Sequence, residues 1–424
     1  MTRTPSLPRA AGFTLVEILV GLTLGLIAII VMLQVFSVFD SQKRSTTSGS
    51  DAQTTGLISL YSLEREIRMA GYGLVYNNPV TDTTYEGQLA CNWMRYSDAT
   101  SGTATADRVL PVLIEDGAGN NGSDRITVMF ATTPFAPAPS ILSVAVNQAS
   151  DLVVRNAPVN DLGANAVFAA DDIILVGTPQ TITAASGDNT CTLLRVTGVT
   201  PTGTDATLAR GLATSAALPP VGATVNANLT KPDSANYSYD AATSAPTIVL
   251  KLGSVAAGQT PFIRNHYAIS AGSELQVRNL ATNAAAVSIG DNVIDMQAQY
   301  GVVAATCADN AASCNVVNTW VNATGATWAA PSAANMARIK AIRVSIVTRS
   351  SLREREPATN NCLPFDGTTN VPTGAAPCRA WANDANAPQL PWTGTSDWTD
   401  NGRFFRYRTY ETIIPLRNML WGNT

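Results

Sequence analysis

Gly12-Phe13-Thr14-Leu15-Val16-Glu17 opens an apolar run that continues to Phe39. Arg3 and Arg9 precede it in a short basic leader, and residues 18–39 carry no formal charge. A stretch of that length spans a bilayer as a helix. Glu17 lies inside it, where a carboxylate is costly in hydrocarbon and calls for a partner. That makes Glu17 the first candidate functional residue. The two arginines hold the leader on the cytoplasmic side, so the rest of the chain is expected outside. Gly21 and Gly25 form a G-x-x-x-G spacing that would let a second helix approach closely.

The glycine, the phenylalanine, the glutamate five residues after the glycine and the apolar run together resemble the class III signal of type IV pilins and type II secretion pseudopilins. The resemblance implies cleavage between Gly12 and Phe13 by a prepilin peptidase, N-methylation of the new Phe13 amine, and pairing of Glu17 with the amine of a neighbouring subunit. A buried charge in a low-dielectric bundle must be paired or neutralised, which agrees with that role. An ordinary secretory signal differs, because its apolar core precedes the cut and is lost. One departure stands out. Major pilins usually carry a proline in this run, whereas no proline occurs here between Phe13 and Asn78.

Composition agrees with an exported protein. The 424 residues suffice for one large or two small domains beyond the helix. Charged residues make up only 14% and the net charge is −4, with no dense basic cluster outside the leader. Non-specific DNA binding therefore has little electrostatic support, and no specific nucleic-acid partner is expected. The six cysteines, Cys91, Cys191, Cys307, Cys314, Cys362 and Cys378, suit an oxidising compartment. Sequence alone leaves all of their pairings open. Short loops suggest Cys307 with Cys314 and Cys362 with Cys378, which would leave Cys91 for Cys191. A zinc site is the competing reading, but there is no C-x-x-C pair and the lone histidine, His266, is remote in sequence from every cysteine.

Past the membrane run, Leu57, Ile58, Leu60, Tyr61, Leu63 and Ile67 recur at roughly helical spacing, with Glu64, Arg65, Glu66 and Arg68 largely opposite. The reading is one helix from about Phe13 to Ala70, looser over residues 41–56, ended by Gly71 and Gly73 and burying that stripe on a sheet. Strand patterns follow. Ile126, Val128 and Phe130 alternate, as do Ile294, Met296, Ala298 and Tyr300, and Ile342, Val344 and Ile346. Residues 131–147, 200–236, 304–331 and 357–401 read as long loops or insertions. The expected organisation is a leader over 1–12, a transmembrane and assembly helix over 13–39, its amphipathic continuation over 40–72 and a β-rich globular domain over 73–424.

A histidine-dependent nucleophile would have to use His266, which lies in a strand pattern as a surface or edge residue. The run Asp116-Gly117-Ala118-Gly119-Asn120-Asn121-Gly122-Ser123-Asp124 offers oxygen ligands of the kind calcium prefers, but lacks the EF-hand spacing and reads as a turn. The mixed-charge run from Arg349 to Glu356 reads as a strand exit or a subunit contact, and Trp381, Trp392 and Trp398 as a local core or a binding loop. No enzyme, cofactor or metal is expected.

Within the pilin class, residues 63–72, 291–301, 338–350 and 410–418 resemble the PilW-type minor pilins in content and order. That resemblance implies an α+β pilin-like fold: a long N-terminal helix packed on an antiparallel β-sheet with long disulfide-tied loops. It implies a minor pilin that helps to initiate type IV pilus assembly and sits in the tip complex. Its partners would be other minor pilins, the major pilin, the prepilin peptidase, the inner-membrane assembly platform and a tip adhesin. It would begin in the inner membrane, single-pass with its C-terminus periplasmic, and end in the fibre at the cell surface. A J-type minor pseudopilin and a tip-located adhesin are the alternatives.

Overall fold

The computed structural model describes residues 14–76, 88–89, 91, 93–98, 104–134, 139–145, 151–155, 167–177, 190–203, 205–210, 229–230, 247–282, 284–304, 316–354 and 404–420. Helix α1 runs without interruption over Leu15–Met69. The polar segment 41–56 is therefore as helical as its flanks, because its outer face is solvated and its inner face is packed. The helix stops where Gly71 and Gly73 adopt positive φ of 79° and 73°, a conformation that glycine reaches without a Cβ clash. Asn418 Nδ2 donates to the carbonyls of Met69 at 3.2 Å and Ala70 at 3.0 Å, satisfying acceptors that a helix end leaves open.

Two antiparallel sheets receive α1. One has the order β16-β15-β14-β6-β5, with β5 at Val112–Glu115, β6 at Arg125–Phe130, β14 at Ile263–Ile269, β15 at Glu274–Asn279 and β16 at Val287–Asp291. The other has the order β18-β17-β19-β20, with β17 at Val293–Val302, β18 at Thr319–Val321, β19 at Ile339–Arg349 and β20 at Tyr407–Pro415. Short helices α2 (Gly325–Trp328), α3 (Ala333–Ala337) and α4 (Arg417–Leu420) flank the second sheet. The alternating runs read from the sequence fall on β6, β17 and β19. Their inward residues, including Ile126, Val128, Met296, Ala298, Tyr300, Ile342, Val344 and Ile346, share one core with Leu63 and Ile67 of α1.

The third region corrects the expected architecture. Strands β7 (Ser140–Leu142), β8 (Leu152–Arg155), β9 (Asp172–Gly177), β10 (Thr190–Thr202), β11 (Asp205–Arg210) and β13 (Ile248–Ser254) pair antiparallel in a closed ring, β7-β8-β11-β10-β9-β13 and back to β7. The protein is mostly β, a six-stranded barrel plus further sheets with one long helix, and not a pilin-like helix packed on one sheet. Two features make closure possible. Register shifts at Val196/Gly198 and Lys251/Gly253 bend β10 and β13, and Gly203 at φ 67° turns the 13-residue β10 back into β11. Leu142, Leu152, Val154, Ile174, Val176, Leu194, Val196, Ala206, Leu208 and Val249 fill the interior with Val167 and Phe168.

Strands β9, β10 and β13 serve both cores. Their alternate residues Ile173, Leu175, Leu193, Leu250 and Leu252 face the helix-bearing core, so this wall is apolar on both sides, as doubly buried strands are. Outside the ring, β3 (Trp93–Asp98) pairs in parallel with β10 and carries β4 (Ala104–Arg108) and β12 (Leu229–Thr230), while β1 (Val75–Tyr76) pairs with β2 (Gln88–Leu89). Cys91 and Cys191 form a disulfide with Cα atoms 5.7 Å apart, closing 100 residues of chain. A Cβ on Gly177 would overlap the Cys191 sulfur, so that glycine makes room for the bridge. Cys307, Cys314, Cys362 and Cys378 lie outside the described residues.

Candidate assembly site

The first part of α1 has no packing partner among the described residues. From Leu15 to Phe39 its large apolar side chains are all exposed, Leu15 at 75% and Phe36 at 67%. That half is long and apolar enough to cross a membrane, which agrees with membrane or pilus association. Thr14 caps it, and Glu17 completes a capping box. Glu17 Oε2 accepts from the Thr14 backbone N–H and from Thr14 Oγ1, each at 3.0 Å, while Thr14 Oγ1 accepts from Glu17 N at 3.3 Å. The carboxylate is thus turned toward the helix N-terminus, where a negative charge is favoured. Gly21 and Gly25 stand one turn apart with open space at both Cβ positions. Gly12 and Phe13 lie outside the described residues.

The second part of α1 sits in a socket, where Leu63 and Ile67 of the expected stripe are buried and Leu60 packs against the same core, but the rest of the stripe does not face inward. Leu57, Ile58 and Tyr61 are exposed at 58%, 55% and 69%. The buried line is instead Ser48, Ala52, Gly56, Ser59, Leu63, Ile67 and Ala70. These positions recur at intervals of three and four, so they make a true helical stripe. Its upper half consists of small residues that bring the backbone close to the sheets. A Cβ on Gly56 would overlap the Tyr410 ring, and one on Gly290 would overlap Ser59 Oγ and meet Thr55 Cγ2 at 3.1 Å. The helix is recessed by Gly56 where it meets β20, and β16 is recessed by Gly290 where it meets the helix. A search for large apolar residues does not find such a face, whereas a search for small ones at helical spacing would.

Polar contacts fix the register of helix in socket. Thr348 Oγ1 donates to the Ala52 carbonyl at 3.0 Å. Asn265 Nδ2 donates to both carboxylate oxygens of Glu66, at 2.9 and 2.8 Å. Ser45 Oγ donates to Glu354 Oε1 at 2.6 Å, and the Leu352 N–H donates to Ser48 Oγ at 3.1 Å. The mixed-charge run therefore begins as a strand exit clasped to the helix. Arg349 stacks on Phe405 and Arg353 on Phe404, at 4.6 and 3.8 Å from the ring centres. Trp381, Trp392 and Trp398 fall outside the described residues.

The other candidates resolve into structural roles. His266, on β14, is half-buried and shares a 3.0 Å hydrogen bond with Thr127 Oγ1 through Nδ1. Burial lowers its pKa from the usual histidine value. In the acidic loop, Asp124 Oδ1 accepts from Gly117 N at 2.8 Å and Oδ2 from Ala298 N at 2.7 Å, tying the loop to β17. Burial pushes its carboxyl well above the ordinary range against those two donors. Among the described residues no group of three or more His, Cys, Asp or Glu side chains is placed to hold a metal ion.

No curated protein and no solved structure matches the chain. Residues 256–418, somewhat over a third of its length, match a family model described as Type IV Pilus-assembly protein W. That span contains β14 to β20 and reaches Asn418, so it supplies most of the socket that grips α1. The match supports a type IV pilus-related protein with a role in pilus assembly.

Proposed function

We propose that this chain is a minor pilin of the PilW type, an assembly subunit rather than an enzyme. The observation that carries this reading is a single helix with two unlike halves. One half is apolar and exposed among the described residues, headed by the Thr14–Glu17 box. The other is locked into strands that fall in the family-matched span. In this reading a prepilin peptidase cuts between Gly12 and Phe13 and the Phe13 amine is methylated. The free half of α1 then leaves the inner membrane through the assembly platform and packs among the helices of other minor pilins and the major pilin, in a complex that starts the fibre and remains at its tip. Glu17 offers its charge to the N-terminal amine of a neighbouring subunit, a pairing that grows stronger as water is excluded.

The test is mass spectrometry of sheared fibres and of the remaining membranes, reading the N-terminal peptide of this protein. An N-methylated Phe13 peptide at low abundance in fibres is expected. The processed peptide confined to membranes would favour a secretion pseudopilus, and an intact Met1 leader in both fractions would overturn the reading. Glu17→Ala should leave cleavage intact and lower the amount in fibres.

A further inference from the structure

The outer face of α1, away from the socket, carries a patch of large apolar side chains. Leu57, Ile58 and Tyr61 stand exposed there, in a stretch whose other outward residues are polar. A contiguous patch of this kind marks contact with another molecule. Its spacing says what kind. Asp51, Thr54, Ile58, Tyr61 and Arg65 follow one another at intervals of three, four, three and four, and all five are exposed. That alternation is the seam by which one helix packs along another, and Leu57 widens it at its centre. The buried line from Ser48 to Ala70 lies on the other side of the helix, so α1 can serve both contacts at once.

Height and charge narrow the occupant. At the rise of an α-helix, Asp51 lies about 18 Å and Arg65 about 39 Å past Phe39, the end of the apolar run. The headgroup layer of a bilayer extends roughly 5–8 Å beyond the hydrocarbon, so lipid does not reach the seam. Its two ends carry opposite charges, Asp51 toward the apolar half and Arg65 away from it. Neither forms an ion pair among the described residues. In a parallel, in-register pair, equivalent seam positions face each other. A second copy of this chain would then set Asp51 against Asp51 and Arg65 against Arg65, which is repulsive at both ends. A different chain with a basic residue level with Asp51 and a carboxylate level with Arg65 would complement both.

We propose that this seam docks the N-terminal helix of a different subunit, running parallel to α1 from the same membrane. Aliphatic or aromatic side chains of that helix cover Ile58 and Tyr61, with a cation at the level of Asp51 and a carboxylate at the level of Arg65. Charges at the ends of an apolar contact set register and partner choice more than affinity, so the seam selects which neighbour stands beside α1. The proposal rests on the reading of this chain as an assembly subunit.

Photo-cross-linking of the full chain in fibre-producing cells tests it, with p-benzoylphenylalanine in place of Tyr61 and, separately, of Phe36 in the apolar half. Both side chains are exposed, so neither replacement should disturb the fold. The expected Tyr61 product joins this chain to a second protein with a similar N-terminal signal, at a helix peptide about 20 residues past its own apolar run. Arg65→Glu should lower that yield about five-fold, and changing the facing carboxylate of the partner to lysine should restore it. A Tyr61 product within this chain, to a second copy of it or to lipid would overturn the seam, as would an unchanged yield in Arg65→Glu. So would the absence of a Tyr61 product while the Phe36 probe still captures a neighbouring subunit. Absence of protein products at both positions would instead overturn the assembly reading, and the seam with it.

Discussion

The socket around α1 and the six-stranded barrel are both antiparallel β, yet they are built differently. In the socket, long strands such as β17 and β19 present strict alternation, and the family match covers most of them. The barrel lies almost wholly before the match, which begins two residues after β13 ends. Its strands are as short as three residues, and closure depends on β11 pairing with β8 on one side and β10 on the other. The socket holds a helix through side chains, whereas the barrel holds itself together through its backbone ring. A family signature can therefore mark the part that grips the helix while the adjoining region takes another form.

Substitutions in each region can separate the two. Leu63 is fully buried between α1 and the sheets, so Leu63→Ala should cost about 2–5 kcal/mol. Hydrogen exchange should then show lost protection in β17 and β19 while β8 and β11 keep theirs. Equal loss in β8 and β11 would mean the barrel and the socket unfold as one unit. Breaking the Cys91–Cys191 disulfide with Cys191→Ala should cost about 2–4 kcal/mol, read as a lower denaturant midpoint, with the larger loss of protection in β9 and β10. Gly56→Val forces a side chain into the Tyr410 ring and should cost about 1–3 kcal/mol. The double variant with Tyr410→Ser should recover part of that loss, and no recovery would place the strain elsewhere.

The smallest effect concerns the clasp at the membrane end of the socket. The Ser45 hydrogen bond, opposed by burial and aided by Arg406, holds the Glu354 carboxyl below its usual range. A carboxylate with a lowered folded pKa contributes stability above its unfolded pKa of about 4.3 and loses it as pH falls through the lower folded value. Glu354→Gln should remove that pH dependence and cost under about 1 kcal/mol at neutral pH. An unchanged acid limb in stability measurements would show that the clasp contributes nothing.

Legibility in the sequence followed the size of the side chains and the range of the pairing. The apolar run from Leu15, the glycine stop at Gly71 and Gly73, and the alternation of Ile342, Val344 and Ile346 all depend on local periodicity and could be read directly. The inner face of α1 was legible at Leu63 and Ile67 but not before them, because Ser48, Ala52, Gly56 and Ser59 carry almost no apolar signal while exposed Leu57, Ile58 and Tyr61 carry a strong one. The closure of the barrel could not be read for a different reason. β7 and β11 fall in stretches that read as loops, because strands of three to six residues rich in Ser, Thr and Ala show little alternation. Their ring closes through partners distant in sequence, such as β7 with β13.

The match between α1 and β20 has a mechanical consequence. Gly56 lies against Tyr410 and Met69 against Asn418, so helix and strand run in the same direction, side by side. Tension drawn along the helix axis reaches β20 along its length and strains the β19–β20 ladder in shear. The nine residue pairs of that ladder then resist together rather than opening one after another. A subunit held in this way would transmit a pull from its N-terminal end without peeling its sheet apart.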